Sequence, residues 1–141
     1  EMVASIHSNI ADCLHALGEF PEALVEREAA LKAASAALEA NDGELFEFHA
    51  GMGHELVTLS RFEEARPQLE RALALRKDLD SDPTELARVR FDLAQVRWAQ
   101  GPSGRHEALA LATAAHEALA KAGPLRDEEA QEIARWLAAH R

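Results

Sequence analysis

The chain has 141 residues, a net charge of −10 at pH 7 and a sequence pI of about 5.1. Such an acidic protein repels phosphate backbones, so we expect no nucleic-acid partner. Alanine (30) and leucine (19) far outnumber isoleucine (3), valine (5) and threonine (3), and tyrosine is absent. Because strands favour β-branched and aromatic residues, this composition indicates an all-α fold. No apolar run reaches the roughly 18 residues that span a bilayer, so we expect no membrane segment.

Cys13 is the single cysteine of the sequence. It cannot form an internal disulfide, which is typical of a reducing compartment, and we therefore expect a cytoplasmic protein. We predict that its side chain points toward the core. The sequence opens with Glu1-Met2 and shows no signal peptide, which suggests a fragment of a longer protein.

The apolar periodicity and the turn residues predict seven helices. Pro21 stands in the first turn of the second helix, where its missing N–H costs nothing. Cap and turn residues separate the units at 41–44 and 82–85. The predicted helices cover residues 2–17, 21–40, 44–59, 62–79, 83–100, 105–122 and 126–140.

An internal repeat runs through these helices. Ile10-Ala11, Met52-Gly53, Leu93-Ala94 and, more faintly, Ile133-Ala134 follow one another at offsets of 42, 41 and 40 residues. A near-constant period with two helices per unit predicts a solenoid. In each pair a large residue precedes a small one, and we expect the next helix to cross closely over the small one.

Three features of the units resemble tetratricopeptide repeats in an extended form of about 42 residues, although the turn of the third unit departs, with Arg105 where Phe is expected. They are the small residue of the first helix, the turn seen at 17–20 and 59–62, and the alanine that opens the second helix at 23, 65 and 108. The resemblance implies a right-handed α-solenoid of about three helix hairpins plus a C-terminal capping helix. It implies one domain over 1–141, with repeats at 2–40, 44–79 and 83–122 and the capping helix at 126–140. His7 and His49 stand where an aromatic is usual, so we interpret them as packing residues.

The resemblance also implies a function, namely a non-catalytic scaffold that binds a protein or peptide in a concave groove lined by the first helix of each unit. Phe91 and Trp98 beside Arg88 are the strongest candidates for contact with a partner, because aromatic and arginine side chains dominate binding hot spots. Burial of Trp98 against the capping helix stays open as an alternative. We expect the partner to place an apolar group near the two aromatics and an acid at Arg88. Ala50 and Val57 are further groove-facing positions, whereas we interpret Ser5 and Ser8 as merely exposed. The predicted groove residues are Asp12, His15, Glu47, His54, Arg88, Phe91, Gln95 and Trp98.

Other chemistry is disfavoured. Asp12, His15 and His54 could converge, but a structural zinc site usually has four ligands including thiolates, so we expect no metal. Gly51 and Gly53 fall inside a helix rather than in a phosphate-binding loop. We therefore predict no cofactor and no enzymatic activity in this chain. Chaperone-binding members hold a terminal carboxylate with fixed positive charges, and Arg88 lies one turn away from the nearest matching position here. The matching positions, none of which carries such a charge, are Ser8, Asp12, His54, Phe91 and Gln95.

Two alternatives stay open. Residues 129–140 resemble the ends of repeat regions that follow bacterial serine/threonine kinase domains, so the chain could be the regulatory or substrate-recruiting region of such a kinase. The second alternative is self-assembly into a homo-oligomer through exposed repeat ends. The N-terminal end has no equivalent of the capping helix, and the first helix begins with the apolar residues Met2, Val3 and Ile6. The sequence does not name the partner.

Overall fold

A computed structural model describes residues 2–76 and 83–141. These residues contain no strand, which confirms the all-α prediction. Six of the predicted helices agree with the structure to within three residues at each end. The predicted end of the fourth helix (77–79) and Asp82 of the predicted turn lie outside the described residues. The helices are α1 (Met2–Ala16), α2 (Phe20–Ala37), α3 (Phe46–Thr58), α4 (Phe62–Arg76), α5 (Pro83–Ala99), α6 (Arg105–Lys121) and α7 (Asp127–His140).

The chain divides into two compact units, residues 1–79 and 80–141. Unit 1 contains two helix hairpins, α1–α2 and α3–α4, and α2 packs against α3. Unit 2 holds the hairpin α5–α6, and α7 packs against α6. Each unit is thus assembled from the predicted helix hairpins, with α7 as an additional helix in unit 2.

The small residues of the repeat are buried where helices cross. Ala11, Gly53 and Ala94 are all enclosed, as predicted. His7 and His49 are half-buried, and each bonds a side chain 19 residues later on the second helix of its own hairpin. The Nδ1 atom of His7 lies 2.5 Å from a carboxylate oxygen of Glu26, and that of His49 lies 2.8 Å from the amide oxygen of Gln68. The two histidines therefore tie the helices of their hairpins together.

The prediction that Cys13 points toward the core is wrong, because its side chain is exposed. α1 buries Ala4 and Ala11, which lie on one face of the helix. Cys13 is two residues beyond Ala11, and at about 100° per residue it therefore projects from nearly the opposite face.

The turns inside the three hairpins share a left-handed residue at the same repeat position. Gly18 has a φ of 79°, Ser60 a φ of 60° and Gly101 a φ of 110°. Around Ser60 the backbone N–H of Arg61 donates to the carbonyl of Leu56, and the corresponding bond follows Gly18. This is the Schellman arrangement, which normally has glycine at the left-handed position. The Cβ atom of Ser60 therefore introduces steric strain that is absent at Gly18 and Gly101.

We expect Ser60→Gly to raise the free energy of unfolding by about 0.5–1 kcal/mol, since relief of the left-handed strain outweighs the added freedom of the unfolded chain. Urea denaturation followed by circular dichroism measures the change. The reciprocal variant Gly18→Ser is the matched control and should lose a similar amount. Equal stability of both variants and the parent would show that this turn conformation carries no strain.

Candidate partner-binding site

The polar side chains of unit 1 meet around one buried carboxylate. Glu55 of α3 has no exposed surface. One of its oxygens lies 2.8 Å from the Nδ1 atom of His15, and the other accepts from the Nε of Arg27 at 3.4 Å. The guanidinium of Arg27 also pairs with the Asp12 carboxylate at 2.8 Å. Because a buried carboxylate is stable only when donors surround it, Arg27 and His15 are what allow Glu55 to sit between the helices.

The two groove histidines of unit 1 lie side by side. The ring centroids of His15 and His54 are 5.0 Å apart, and His15 is also 5.0 Å from the ring of Phe20. A hydrogen bond from His15 to an ionised Glu55 requires the proton on Nδ1, which fixes the ring orientation. Both histidines remain half-exposed. A ligand on this surface would therefore meet two adjacent imidazole rings, of which that of His15 is oriented by Glu55.

Glu47 completes this surface. It is exposed in the first turn of α3 and precedes His54 by seven residues, so both side chains lie along one side of the helix. We call Asp12, His15, Glu47 and His54 the polar face of unit 1. The structure brings Asp12, His15 and His54 into one neighbourhood through Arg27 and Glu55, two residues that the sequence analysis did not single out. A signal existed for Glu55, because an acid occupies a repeat position that holds Cys13 in the first hairpin.

The described residues contain no group of three or more histidine, cysteine, aspartate or glutamate side chains that could hold a metal ion. The Asp12 carboxylate faces Arg27 and the His15 ring faces Glu55. These contacts are internal ion pairs and hydrogen bonds of the protein itself.

In unit 2 the expected exposure of Phe91 is wrong. Its side chain is 2% exposed and belongs to a core with Ile133 and Leu137 of α7. The ring of Trp136 meets Phe91 edge-on at 5.8 Å and Trp98 at 5.7 Å. The stripe expected to line a groove is thus covered by α7. A signal for this burial was present, since apolar residues occur all round α5, as in helices packed on several sides.

Arg88 is likewise engaged within unit 2. Its guanidinium lies 3.0 Å from Glu132 and 3.8 Å from Glu129, both on α7. Burial opposes the charged form of Arg88, but the hydrogen bond to Glu132 and the neighbouring carboxylates outweigh it, and its pKa is raised. The acid that we expected a partner to supply is therefore supplied by α7.

Trp98 and Gln95 are half-buried rather than open. The Trp98 ring packs edge-on against His140 at 4.9 Å, and the Arg105 guanidinium stacks over it at 4.8 Å. The Gln95 amide donates to the carbonyl of Phe91 at 3.5 Å. Of the eight predicted groove residues, the four in unit 1 remain accessible in whole or part. In unit 2, Arg88, Phe91 and Trp98 contact α7, and Gln95 bonds the backbone of its own helix.

The helix hairpins, the crossing over small residues and the glycine-type turns define unit 1 as a helical-repeat module. A tetratricopeptide repeat family model matches residues 2–78, which is more than half of the chain. The protein belongs to this family, whose repeats generally mediate protein–protein interactions. No curated protein matches the sequence. None of the helices described is long and apolar enough to cross a bilayer.

Proposed function

We propose that this chain is a non-catalytic scaffold whose polar face of unit 1 binds a peptide segment of a partner protein. The observation that carries the proposal is a pair of adjacent, half-exposed histidines, His15 and His54. The buried Glu55 carboxylate holds the His15 ring of this pair in place. Oriented side chains lose little conformational entropy when a ligand binds, so they contribute more to affinity than mobile ones.

The charge around this face indicates the kind of peptide. Residues 1–40 contain seven acidic and two basic side chains, and one of the basic ones, Arg27, is occupied by Asp12 and Glu55. The exposed Glu47 adds a further negative charge. Complementary potentials speed association and select partners, so the ligand should carry lysine or arginine side chains. A cytoplasmic location is part of the same proposal.

The test is selection of a peptide from a displayed random library on the whole chain, followed by calorimetric titration of the selected peptide. We expect enrichment of basic sequences. Glu47→Lys together with His54→Ala should then weaken binding of the selected peptide by about 1–3 kcal/mol, because a charge contact and a ring contact are lost.

Two controls accompany this titration. Glu22→Lys changes the same charge at an exposed position in the first turn of α2, and Ser5→Ala alters a small α1 side chain. Both should leave the affinity within about twofold of the parent, or roughly 0.4 kcal/mol. Binding that tolerates the Glu47 and His54 changes but responds to Glu22→Lys would move the site away from the polar face.

A second candidate is a regulatory or substrate-recruiting role beside a serine/threonine kinase domain of a longer protein. It is supported by the likeness of residues 129–140 to the ends of kinase-associated repeat regions. Determining the full coding sequence tests it directly. A longer open reading frame without a kinase domain would remove this candidate and leave the scaffold proposal unchanged.

A further inference from the structure

The outer side of α1 carries a continuous exposed apolar stripe. Its residues follow one another at spacings of 3, 4, 3 and 4, the pattern of a coiled-coil seam. Ile10 is the least exposed of its aliphatic members at 41%, and Leu17 is the most exposed at 74%. We define the α1 stripe as Val3, Ile6, Ile10 and Cys13 of the helix together with Leu17, which directly follows it.

The second hairpin shows what packs against the corresponding residues one repeat later. The residues 42 positions after Val3 and Ile6 are Leu45 and Phe48. Both belong to a core cluster with Ala34 of α2 and with Leu38, the residue that ends that helix. The residues of the second hairpin that correspond to Val3 and Ile6 therefore pack against α2. Val3 and Ile6 are equally apolar but remain exposed in unit 1.

Charge favours a second copy of the chain over other occupants. Although the protein has a net charge of −10, Asp12 is the single Asp, Glu, Lys or Arg between residues 2 and 16. Its carboxylate is paired with Arg27, and it lies on the other side of α1 from the stripe. Two α1 helices can therefore approach without bringing like charges together. A membrane surface fits less well, since helices that lie on membranes carry lysine and arginine on their polar face.

The exposed apolar area of the α1 stripe is also large enough for a small dimer interface. The aliphatic members of the α1 stripe are between 41% and 74% exposed, so the stripe presents roughly 500 Å², near the upper end of the apolar patches found on monomers. Burying it on two copies removes on the order of 1,000 Å² from water, the lower limit for a specific interface. We propose that the chain forms a weak two-fold dimer in which two α1 helices pair along their stripes, antiparallel and centred on Ile10. The antiparallel arrangement sets opposite ends of the two helix dipoles side by side.

Sedimentation velocity over a concentration series of the whole chain, from about 5 to 500 μM, tests this dimer over the range expected for a small interface. We expect a reversible shift from monomer to dimer. Ile10→Glu places two carboxylates at the centre of the pair and should weaken it at least about tenfold, which is 1.4 kcal/mol. Val25→Glu is the matched control: Val25 is 64% exposed on α2, outside the stripe, and its variant should dimerise like the parent.

Cross-linking checks the register. With Cys13 replaced by serine, Ile10→Cys should form a disulfide-linked dimer on mild oxidation, whereas Val25→Cys should not. Circular dichroism confirms that each variant is folded, and Ile6→Lys replaces Ile10→Glu if that variant unfolds. A chain that stays monomeric throughout the series, or a dimer that ignores the stripe variants, would overturn the proposal. Peptide binding at Asp12 and His15 uses the other side of α1, so failure of the dimer leaves the proposed function standing.

Discussion

Truncation of Phe91 to alanine is expected to lower the free energy of unfolding by about 3–5 kcal/mol, the usual cost of removing a buried phenylalanine. The side chain is 2% exposed and stands between α5 and α7, so its loss leaves a cavity that adjacent buried residues cannot easily fill. Both tryptophans of the protein, Trp98 and Trp136, lie in unit 2. Their fluorescence during urea denaturation therefore reports directly on this core.

Leu125→Ala is the control for this measurement, because it removes a large apolar side chain from the same unit at a position that is 98% exposed. It should change the free energy of unfolding by less than about 0.5 kcal/mol. If Phe91→Ala were as stable as Leu125→Ala, α7 would not be seated on α5 in solution. The stripe containing Phe91 would then again be available to a partner.

The ion pairs between Arg88 and α7 provide a second test of whether α7 packs on α5. Arg88→Glu brings a third carboxylate beside Glu129 and Glu132, and should loosen α7. Combining it with Glu132→Arg restores one attractive pair and should recover part of the loss. These pairs are partly exposed, so the effect should be much smaller than that of Phe91→Ala and should shrink with added salt.

The second large effect is expected at Gly53, where a leucine should overpack the crossing of α3 and α4 and cost about 1–3 kcal/mol. A Cβ atom built on Gly53 would come within 2.5 Å of Cδ2 and 2.7 Å of Cγ of Leu69. Leu69 is itself completely buried and has little room to move aside. Thermal and urea denaturation followed by circular dichroism measure the loss.

Two further variants separate overpacking from other causes. Gly51→Ala adds a methyl group in the same helix, and its nearest neighbours are atoms of the Arg27 side chain at 3.3 Å and beyond. These atoms need to shift by only a few tenths of an ångström, so Gly51→Ala should cost much less than Gly53→Leu. Leu69→Ala empties the space that the new side chain needs, so in combination with Gly53→Leu it should cost less than the two changes added separately. Strict additivity of the two changes would mean that Gly53 and Leu69 do not share a crossing.

The helices and the repeat were predictable because both follow from local rules. Alanine and leucine favour helix. Gly18 and Gly101 adopt the left-handed conformation that ends a helix. The small residues Ala11, Gly53 and Ala94 recur at a fixed period, so their role in close helix crossings could be inferred from spacing alone. The polar residues of the first helices in unit 1 were found in the same way, by their position in the repeat.

The tertiary structure decided which helix faces are covered. Arg88, Phe91 and Trp98 form a stripe whose spacing is the same whether solvent, a partner or α7 lies against it, and the structure places α7 there. The spacing likewise could not show that Glu55 is buried between Arg27 and His15. Periodicity fixes the direction of a side chain relative to its own helix axis. Burial depends on contacts with helices that are distant in sequence, and those contacts exist only in the folded protein.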